Sequence, residues 1–437
     1  MILNNLSVHN FRGFEDLEIN FDKKLTVIVG NNGVGKTTIL EAAAIAVGTM
    51  FTAFNSVSSM KIDKDDAHIK SFVIGSQDDV QIQYPVSVSA SGIINQSEVK
   101  WQRSLNGPRG STTVKDAREL IDIAETYQKK LQSGDSSLIL PIIAYYGTGR
   151  LWDSHREKKV DTFSNSTRTN GYIDSLDGQS NIKLMMNWFQ KMTIQKYQRQ
   201  EEKLAPNPML DVVFGAVEKC FESVTGYRDV SIQYNFDTNG MDVYYTDSTS
   251  ARMRIPMASL SDGYKGTISL IADIAYRMAV LNPQLQGSVI EKTPGVVLID
   301  EIDLHLHPAW QQRILNDLTT IFPEVQFIVT THAPAVINSI QSANLVILEN
   351  GETREPDGQT FGKDANTILQ GVMAAYERPL AVKKMFRVFY RAIDANDFEN
   401  ATNILTSLEE AIGNDDSELA SCRVKLKLAR IRGGSNA

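Results

Sequence analysis

The chain has 437 residues, of which 42% are hydrophobic, and its 44 lysines and arginines against 52 aspartates and glutamates give a formal net charge of -8. This length and composition indicate a globular protein of two or three structural units, and the acidic balance argues against a protein that coats nucleic acid with its whole surface. The sequence has no apolar run of the ~20 residues that a membrane helix needs and no basic N-terminal segment before an apolar one, so a cytoplasmic protein without membrane contact is expected.

The first predicted elements are two short antiparallel strands joined through Arg12 and Gly13, and a buried strand that leads into a phosphate-binding loop. The loop has the pattern G-x-x-x-x-G-K-T, and its residues are Gly30, Asn31, Asn32, Gly33, Val34, Gly35, Lys36, Thr37 and Thr38. The glycines allow bends that direct successive N–H groups toward an anion, at the positive end of a helix predicted over residues 39–54. Lys36 supplies a charge for the β- and γ-phosphates of a nucleotide, and the Thr37 hydroxyl is placed to bind Mg2+.

Patterns typical of strands and helices alternate through the middle of the chain. They predict an antiparallel lobe over residues 79–104 and a helix over residues 117–131. An apolar strand is predicted over residues 138–146 and an inserted helical subdomain over residues 152–226. The Asn239-Gly240 pair then lies between two alternating segments and predicts a β-hairpin. After this hairpin the sequence is expected to return to the nucleotide-binding core at Ile255.

Three short apolar strands follow, over residues 296–301, 327–332 and 345–348, with helical segments between them. Strands of this kind imply a largely parallel sheet whose functional residues lie at its carboxyl edge. The first strand ends in Asp300 and Glu301, and the second ends in His332. We expect Asp300 to hold Mg2+, directly or through water, and Glu301 to orient and deprotonate the water that attacks the γ-phosphate.

The last part of the chain is helical throughout. Residues 382–393 and 401–412 each carry one apolar face, and Gly413 is the expected C-cap of the second helix. The spacing predicts a helical hairpin. Cys220 and Cys422 both lie in helical segments without the spacing of a metal or redox pair, so they are expected to be core residues.

The segment Leu260-Ser261-Asp262-Gly263 precedes a predicted helix and offers an anion a hydroxyl, backbone N–H groups and a helix dipole. With this motif, the order of phosphate loop, L-S-x-G, D-E and T-H resembles the heads of the ABC/SMC-type ATPases, the ATP-binding cassette class of DNA repair and chromosome maintenance that includes RecF, Rad50 and OLD-like proteins. The resemblance implies an α/β head with a mixed, largely parallel sheet and an antiparallel β lobe. It also implies self-association, because the serine motif of one copy reaches the γ-phosphate held by another.

Roles for single residues follow from the same resemblance. It implies that Ser261 and Gly263 act in trans on the nucleotide of another copy, and that Asp303 belongs to the loop that crosses the dimer interface. It also implies that His332 senses the γ-phosphate and that Arg12 lies near the nucleotide. The chain departs from the transporter-type signature at Asp262 and Tyr264, which implies weaker or differently tuned activation in trans. The glutamine that links Mg2+ to conformational change in the class is not identifiable, and Asp65-Asp66 is the candidate in its place.

Four segments are similar to the PtuA-like ATPases of Septu and retron antiphage systems, namely residues 145–151, 300–308 and 361–369 and the terminal helical hairpin. This resemblance implies an oligomeric regulatory ATPase that acts with a PtuB-like HNH nuclease and, in a retron setting, with a reverse transcriptase and its msDNA. The implied domains are the N-terminal half of the head at residues 1–150 and a helical insertion at residues 151–228. The C-terminal half of the head follows at residues 229–363, and a C-terminal helical partner-binding region at residues 364–437.

Other interpretations stay open from the residues alone. A metal site would use Asp303, His305 and His307. A RecF-like repair ATPase would contact DNA through basic helix faces, formed by Lys383, Lys384, Arg387 and Arg391 or by Arg423, Lys427 and Arg430. A scaffold would hold ATP without turning it over and would use its C-terminal helices as the partner dock. No intrinsic nuclease is expected, because the residues after His332 hold no acidic metal cluster on a strand pattern.

Overall fold

The computed structural model describes residues 1–55, 57–151, 167–178, 182–247, 249–373 and 378–434. It divides into a larger unit, Met1–Ile368, and a smaller C-terminal unit, Leu369–Ala437. Residues 152–166 and 179–181 of the predicted helical insertion lie outside the described residues. Within the described part of the chain, every helix is too short or too polar to cross a membrane.

Fifteen strands form four sheets in the described part of the chain. They are β1 (Ile2–Phe11), β2 (Phe14–Asn20), β3 (Leu25–Val29), β4 (Ile69–Ile74), β5 (Gln77–Ile82), β6 (Val86–Ile94), β7 (Ser97–Leu105), β8 (Ile142–Tyr146), β9 (Arg228–Asn235), β10 (Gly240–Thr246), β11 (Arg252–Pro256), β12 (Gly295–Ile299), β13 (Val325–Thr331), β14 (Leu345–Glu349) and β15 (Glu352–Arg354).

The α-helices of the described residues are α1 (Lys36–Val47), α2 (Arg118–Gln132), α3 (Ile182–Glu201), α4 (Met209–Thr225), α5 (Asp262–Leu281), α6 (Val289–Lys292), α7 (Pro308–Gln311), α8 (Ile314–Ile321), α9 (Pro334–Ile337), α10 (Ala365–Gly371), α11 (Leu380–Asp394), α12 (Phe398–Ile412) and α13 (Ser417–Gly434).

The central sheet has the strand order β15-β14-β3-β13-β12-β8. Its strands from β14 to β8 are parallel, and β15 pairs antiparallel with β14 at one edge. Strands β12 and β13 are buried along their whole length, as expected for parallel strands that are covered on both faces. The predicted largely parallel sheet is confirmed. Because β3, β13 and β12 are neighbours, the segments that follow them emerge at the same sheet edge.

The predicted antiparallel lobe is confirmed as a sheet with the order β2-β1-β6-β7. The indole N–H of Trp101 in this lobe donates to the Ala46 carbonyl oxygen of α1 at 2.9 Å, so the lobe is fastened to the helix after the phosphate loop. Strands β4 and β5 form a separate two-stranded sheet. The predicted hairpin at Asn239-Gly240 is confirmed by β9 and β10, and β11 adds a third strand where the sequence predicted a return to the core.

Two predicted boundaries are wrong by several residues. Helix α1 ends at Val47, because a 3-10 turn over Gly48–Ala53 replaces the α-helix from the first glycine onward. Strand β8 begins only at Ile142, since Pro141 lacks the N–H that an interior strand position needs. The described helices of the predicted insertion, α3 and α4, pack inside the larger unit, where Trp188 of α3 contacts Tyr276 of α5 with ring centroids 5.5 Å apart.

A buried ion pair ties α5 to the central sheet. Arg277 Nε donates to Asp273 Oδ2 at 2.7 Å, and the Tyr146 hydroxyl donates to the same oxygen at 2.7 Å. Arg277 also donates to the carbonyl oxygens of Gly171 and Ile173. Burial alone would lower the pKa of Arg277, but the neighbouring charge of Asp273 raises it overall. The guanidinium therefore stays charged inside the protein, with polar partners in place of water.

Replacing Arg277 with methionine is expected to lower the free energy of unfolding by about 3–5 kcal/mol, because Asp273 would stay buried without its cation. Arg118→Gln is the control, since the Arg118 side chain is 64% exposed and its ion pair with Asp122 lies on the surface. That change is expected to cost less than about 1 kcal/mol. Urea unfolding followed by circular dichroism measures both variants, and equal losses would contradict the role given to the buried pair.

The C-terminal unit is built from α11, α12 and α13. The predicted helical hairpin is confirmed, with Gly413 at the end of α12, and α13 adds a third helix. The shared core contains Phe386, Phe389, Ala392, Ala401, Leu405, Leu408, Leu419, Cys422 and Leu426. Two residues of the predicted basic faces have partners inside this unit, because Arg423 pairs with Glu409 and Arg430 donates to Thr402.

Candidate functional site

The phosphate-binding loop connects the end of β3 to the start of α1. Gly33 and Gly35 have φ values of 81° and 105°, in the left-handed region that favours glycine. A Cβ at Gly30 would lie 2.5 Å from the Leu348 carbonyl oxygen, and one at Gly35 would lie 2.5 Å from the Phe14 ring. The other predicted loop residues apart from the lysine are exposed or half-buried, namely Asn31, Asn32, Val34, Thr37 and Thr38. The loop is therefore an open turn whose bends require glycine.

Lys36 is a buried residue of the loop, at 6% exposure. Its Nζ donates to the carbonyl oxygens of Gly30 at 2.8 Å and Asn31 at 3.0 Å. Burial lowers the pKa of the Lys36 ammonium, and nearby carboxylates, chiefly Asp300, act in the opposite direction. The ammonium lies where phosphate oxygens can replace the two carbonyls as its partners, with stronger charge-assisted hydrogen bonds.

Thr37 and Asp300 meet across the central sheet. Thr37 Oγ1 donates to Asp300 Oδ2 at 2.7 Å, although the two residues are far apart in the sequence. Asp300 is 1% exposed, and its backbone N–H donates to the Tyr146 carbonyl oxygen at 2.8 Å. A hydroxyl and a carboxylate oxygen are the hard donors that Mg2+ prefers. This donor set at the start of α1 fits a Mg2+ ion.

Glu301 and His332 lie at the ends of neighbouring strands, with His332 Nε2 3.1 Å from Glu301 Oε1. Both side chains are about one third exposed, at 32% and 27%, so the carboxylate is open to water. Glu301 has a φ of 46°, a left-handed value that costs a non-glycine residue about 1–3 kcal/mol. Such strain persists where the surrounding structure fixes a functional geometry.

Two threonines at the end of β13 complete this edge, and the sequence analysis did not assign them a role. Thr330 Oγ1 donates to Asp300 Oδ1 at 2.5 Å and accepts the Glu301 N–H at 2.8 Å. Thr331 Oγ1 donates to Asp303 Oδ1 at 2.6 Å. Each hydroxyl thus orients an acidic residue of the neighbouring strand end. The signal was the T-T-H order itself, because adjacent parallel strands bring their carboxyl ends together.

The segment after the two acids does not gather its polar residues into one site. Asp303 is bound by Thr331, whereas His307 Nδ1 accepts the Ala309 N–H as the N-cap of α7. His305 has a φ of 62°, and its carbonyl oxygen is packed against Gly263. These separate contacts give each residue a structural partner and argue against the metal interpretation of this segment.

Arg12 is in the β1–β2 turn, and its side chain contacts the helix that follows the phosphate loop. Its Nε donates to Asp66 Oδ1 at 2.8 Å, and a second guanidinium nitrogen contacts the Glu41 carboxylate of α1. Burial acts to lower the pKa of Arg12, but the hydrogen bond with Asp66 and the charge of Glu41 raise it overall. Asp66, the candidate for the missing glutamine, is therefore engaged by Arg12.

The serine motif forms the start of α5. Ser261 is the N-cap residue of this 20-residue helix, its side chain makes no capping hydrogen bond, and it is exposed. Gly263 is buried, and a Cβ there would lie 2.5 Å from the His305 carbonyl oxygen. The Tyr264 ring packs on Trp310 with centroids 4.1 Å apart. The motif is thus fixed against the segment after Asp303, while Ser261 remains exposed.

Gly263→Ala is expected to lower ATP turnover by about 10- to 100-fold and to leave the affinity for MgATP unchanged. The new Cβ would collide with the His305 backbone, so the start of α5 must shift, whereas the phosphate loop lies on other elements. Gly215→Ala in α4 is the control, since a Cβ there meets nothing within 4 Å. A phosphate-release assay and titration with a fluorescent ATP analogue measure the two quantities. Unchanged turnover in Gly263→Ala would contradict the role of the motif.

The sheet topology restricts the kind of site that the carboxyl edge of the central sheet can form. The parallel order of β3, β13 and β12 joins a phosphate loop to an acid pair, and an antiparallel lobe is fastened to α1. The exposed serine turn opens a long helix that is tied to β8 by the buried ion pair. This combination is the arrangement that the sequence resemblance implies for the head of an ABC/SMC-type ATPase.

Comparison with known proteins shows which families and individual proteins this chain resembles. Residues 5–207 match a family model described as an AAA domain, and residues 229–338 match one described as an AAA domain, putative AbiEii toxin, Type IV TA system. The chain is 27% identical to the retron Vc95 probable ATPase of Vibrio cholerae, over 86% of this chain and 80% of the relative. It is 25% identical to the retron Ec83 probable ATPase of Escherichia coli, over 97% and 86%.

The Septu protein PtuA of Bacillus thuringiensis is 25% identical, over 80% of this chain and 76% of the relative. Among solved structures, an SMC head bound to the C-winged helix domain of ScpA matches with a TM-score of 0.44 and 16% identity, covering 81% of this chain and 97% of the other. The resemblance stated from the sequence is confirmed: over most of its length the chain is similar to retron ATPases and to Septu PtuA, and AAA-domain models match it on both sides of the predicted insertion.

Proposed function

We propose that this chain is a regulatory ATPase that binds MgATP between two copies of itself and hydrolyses it. One observation supports the proposal most directly. The loop lysine, the Thr37-Asp300 pair and the Glu301-His332 pair meet at a single sheet edge. Ser261, by contrast, is exposed at the start of α5 and makes no capping hydrogen bond in its own chain. A site of this kind is completed when a second copy supplies its serine motif.

The groups of one site divide the work between them. The Lys36 ammonium exchanges its two carbonyl partners for oxygens of the β- and γ-phosphates. Thr37 and Asp300 would hold Mg2+, which would supply positive charge to neutralise the phosphates. Glu301 orients the attacking water and accepts its proton, and His332, 3.1 Å away, holds that carboxylate and senses the γ-phosphate.

The names of the relatives support a role in antiphage defence. In this role the nucleotide state of the ATPase controls a separate HNH nuclease of the PtuB type. In a retron setting the complex also contains a reverse transcriptase and its msDNA. The C-terminal helices, residues 364–437, are the partner-binding region, and no nuclease centre is assigned to this chain.

The test of the shared site is a mixture of two inactive variants. Lys36→Ala keeps its serine motif but lacks a working phosphate loop, and Ser261→Arg keeps its loop but blocks the γ-phosphate of the other copy. Each alone is expected to show little turnover. A 1:1 mixture is expected to recover about a quarter of the wild-type rate, because half of the dimers are mixed and each mixed dimer has one complete site.

The control for this experiment is Lys36→Ala mixed with a Lys36→Ala/Ser261→Arg double variant, which offers no working loop and must stay inactive. If each site used the serine motif of its own chain, the ATP turnover of the Lys36→Ala and Ser261→Arg mixture would equal the sum of the low rates of the two variants. That result would contradict the proposal that Ser261 acts in trans.

A further inference from the structure

Helix α13 of the C-terminal unit has two apolar faces. One face is buried in the core of the unit and contains Leu419, Cys422 and Leu426. The other contains Val424, Leu428 and Ile431, which are 58%, 50% and 61% exposed. With 3.6 residues per turn, these two sets lie on opposite sides of the helix. The unit therefore covers one apolar face of α13 and leaves the other open, and a contiguous exposed apolar face is a candidate binding surface.

The exposed set, here called the seam, consists of Val424, Leu428 and Ile431. Their i, i+4, i+7 spacing matches the d, a and d positions of a heptad, the positions that face a partner helix. In that register the residues flanking the seam are Lys425 and Lys427, at e and g. Among the described residues, neither lysine forms an ion pair with a carboxylate. Lys427 is exposed, and Lys425 Nζ lies 4.6 Å from the centre of the Tyr390 ring.

The helix dipole does not account for the position of the two lysines. A cation stabilises a helix through its dipole only within the last turn, and α13 runs to Gly434, so Lys425 and Lys427 lie too far from its C-terminal end. Charged residues at e and g select the partner of an apolar seam. Lysines at both positions favour a partner with acidic residues there, because opposite charges attract across the contact.

Other occupants fit this surface less well. A second copy of α13 would place lysines opposite lysines, and like charges across a seam disfavour pairing. Nucleic acid would use the cations but would not bury the aliphatic side chains. The seam also lacks the aromatic residues that commonly accompany aliphatic ones on helices that lie in a membrane interface.

We propose that the seam binds an α-helix of a partner protein, one that has an apolar stripe with glutamates or aspartates along both sides. Docking buries the three aliphatic side chains and places carboxylates beside Lys425 and Lys427. This inference deepens the proposed function, because it gives the chemistry of the partner for the C-terminal region. The contact does not involve the nucleotide site, so helix binding and ATP turnover are tested separately.

The test uses the full chain and two synthetic amphipathic helices that have the same leucines and isoleucines at a and d. One helix has glutamate at every e and g position and the other has lysine, and each carries fluorescein at a concentration below its own self-association. Fluorescence anisotropy is expected to show at least about tenfold tighter binding of the glutamate helix. Leu428→Ser should weaken that binding at least about tenfold, and Lys427→Glu should shift the preference toward the lysine helix.

Leu204→Ser is the matched control, because Leu204 in the larger unit is 50% exposed, as Leu428 is. This variant should bind the glutamate helix as the wild type does, and Leu428→Ser should keep wild-type ATP turnover. Equal binding of the two helices, or full binding by Leu428→Ser, would overturn the proposal. It would also be overturned if the only ligands whose binding depends on Leu428 were phosphatidylserine vesicles or duplex DNA.

Discussion

Lys36→Ala is expected to abolish measurable MgATP binding and, with it, ATP turnover. The Lys36 ammonium lies within hydrogen-bonding distance of two loop carbonyl oxygens, at the point where the β- and γ-phosphates enter. A methyl group leaves those phosphates without their cation. Hydrogen bonds to charged groups are worth about 1.5–3 kcal/mol each, so losing two of them weakens binding at least about a hundredfold.

Isothermal titration calorimetry with MgATP measures this loss. Lys23→Ala is the control, since Lys23 is an exposed lysine that precedes β3, at the opposite end of that strand from the loop. It should bind MgATP as the wild type does. Wild-type affinity in Lys36→Ala would mean that the glycine-rich loop is not the nucleotide site.

Glu301→Gln is expected to separate binding from hydrolysis. Glutamine has the size of glutamate and can remain beside His332, but it does not accept a proton from water. Turnover should therefore fall by about 100- to 10,000-fold, the usual contribution of a general base, while the affinity for MgATP stays near the wild-type value. Because the triphosphate persists, the assembled form of the protein should accumulate in MgATP.

Single-turnover phosphate release and light scattering after size exclusion measure the two effects. Glu324→Gln is the control, because this exposed carboxylate precedes β13 and lies at the opposite end of the strand from His332. It should hydrolyse ATP at the wild-type rate. Rapid hydrolysis by Glu301→Gln would show that another group activates the water.

Much of this site could be predicted because its parts are local patterns. The loop from Gly30 to Thr38, the acids after β12 and His332 after β13 each follow an apolar strand that the sequence makes plain. Parallel strands bring such ends to one edge, so the sequence also predicted that these parts would meet. The structure places Thr37 2.7 Å from Asp300 and Glu301 3.1 Å from His332, in agreement with that expectation.

The parts that were missed depend on contacts between distant segments. Arg12 meets Asp66 and Glu41, and the Tyr146 hydroxyl donates to Asp273, but no sequence motif indicates that these polar residues are partners. Thr330 gains its importance only from its place next to Asp300. The left-handed backbone of Glu301 is likewise imposed by its surroundings, since glutamate has no preference for it.

The sequence predicted helix throughout the C-terminal region, but the two apolar faces of α13 escaped prediction for a different reason. Sequence periodicity detects a helix through one apolar face, and this helix has apolar residues on two opposite faces, so the pattern is weak. Strand β11 was missed because its sequence, Arg-Met-Arg-Ile-Pro, is mostly exposed and does not bury alternate residues. In both cases the missing signal belongs to a surface and not to the core.

We propose that one triphosphate is held by the phosphate loop of one copy and the serine motif of another. A structure of Glu301→Gln assembled in MgATP would show this arrangement. Ser261 Oγ of one copy is expected to lie within a hydrogen bond, ~3 Å, of the γ-phosphate bound at Lys36 of the other. Finding Ser261 of every copy far from any nucleotide, or next to the nucleotide of its own chain, would rule out a site shared between copies.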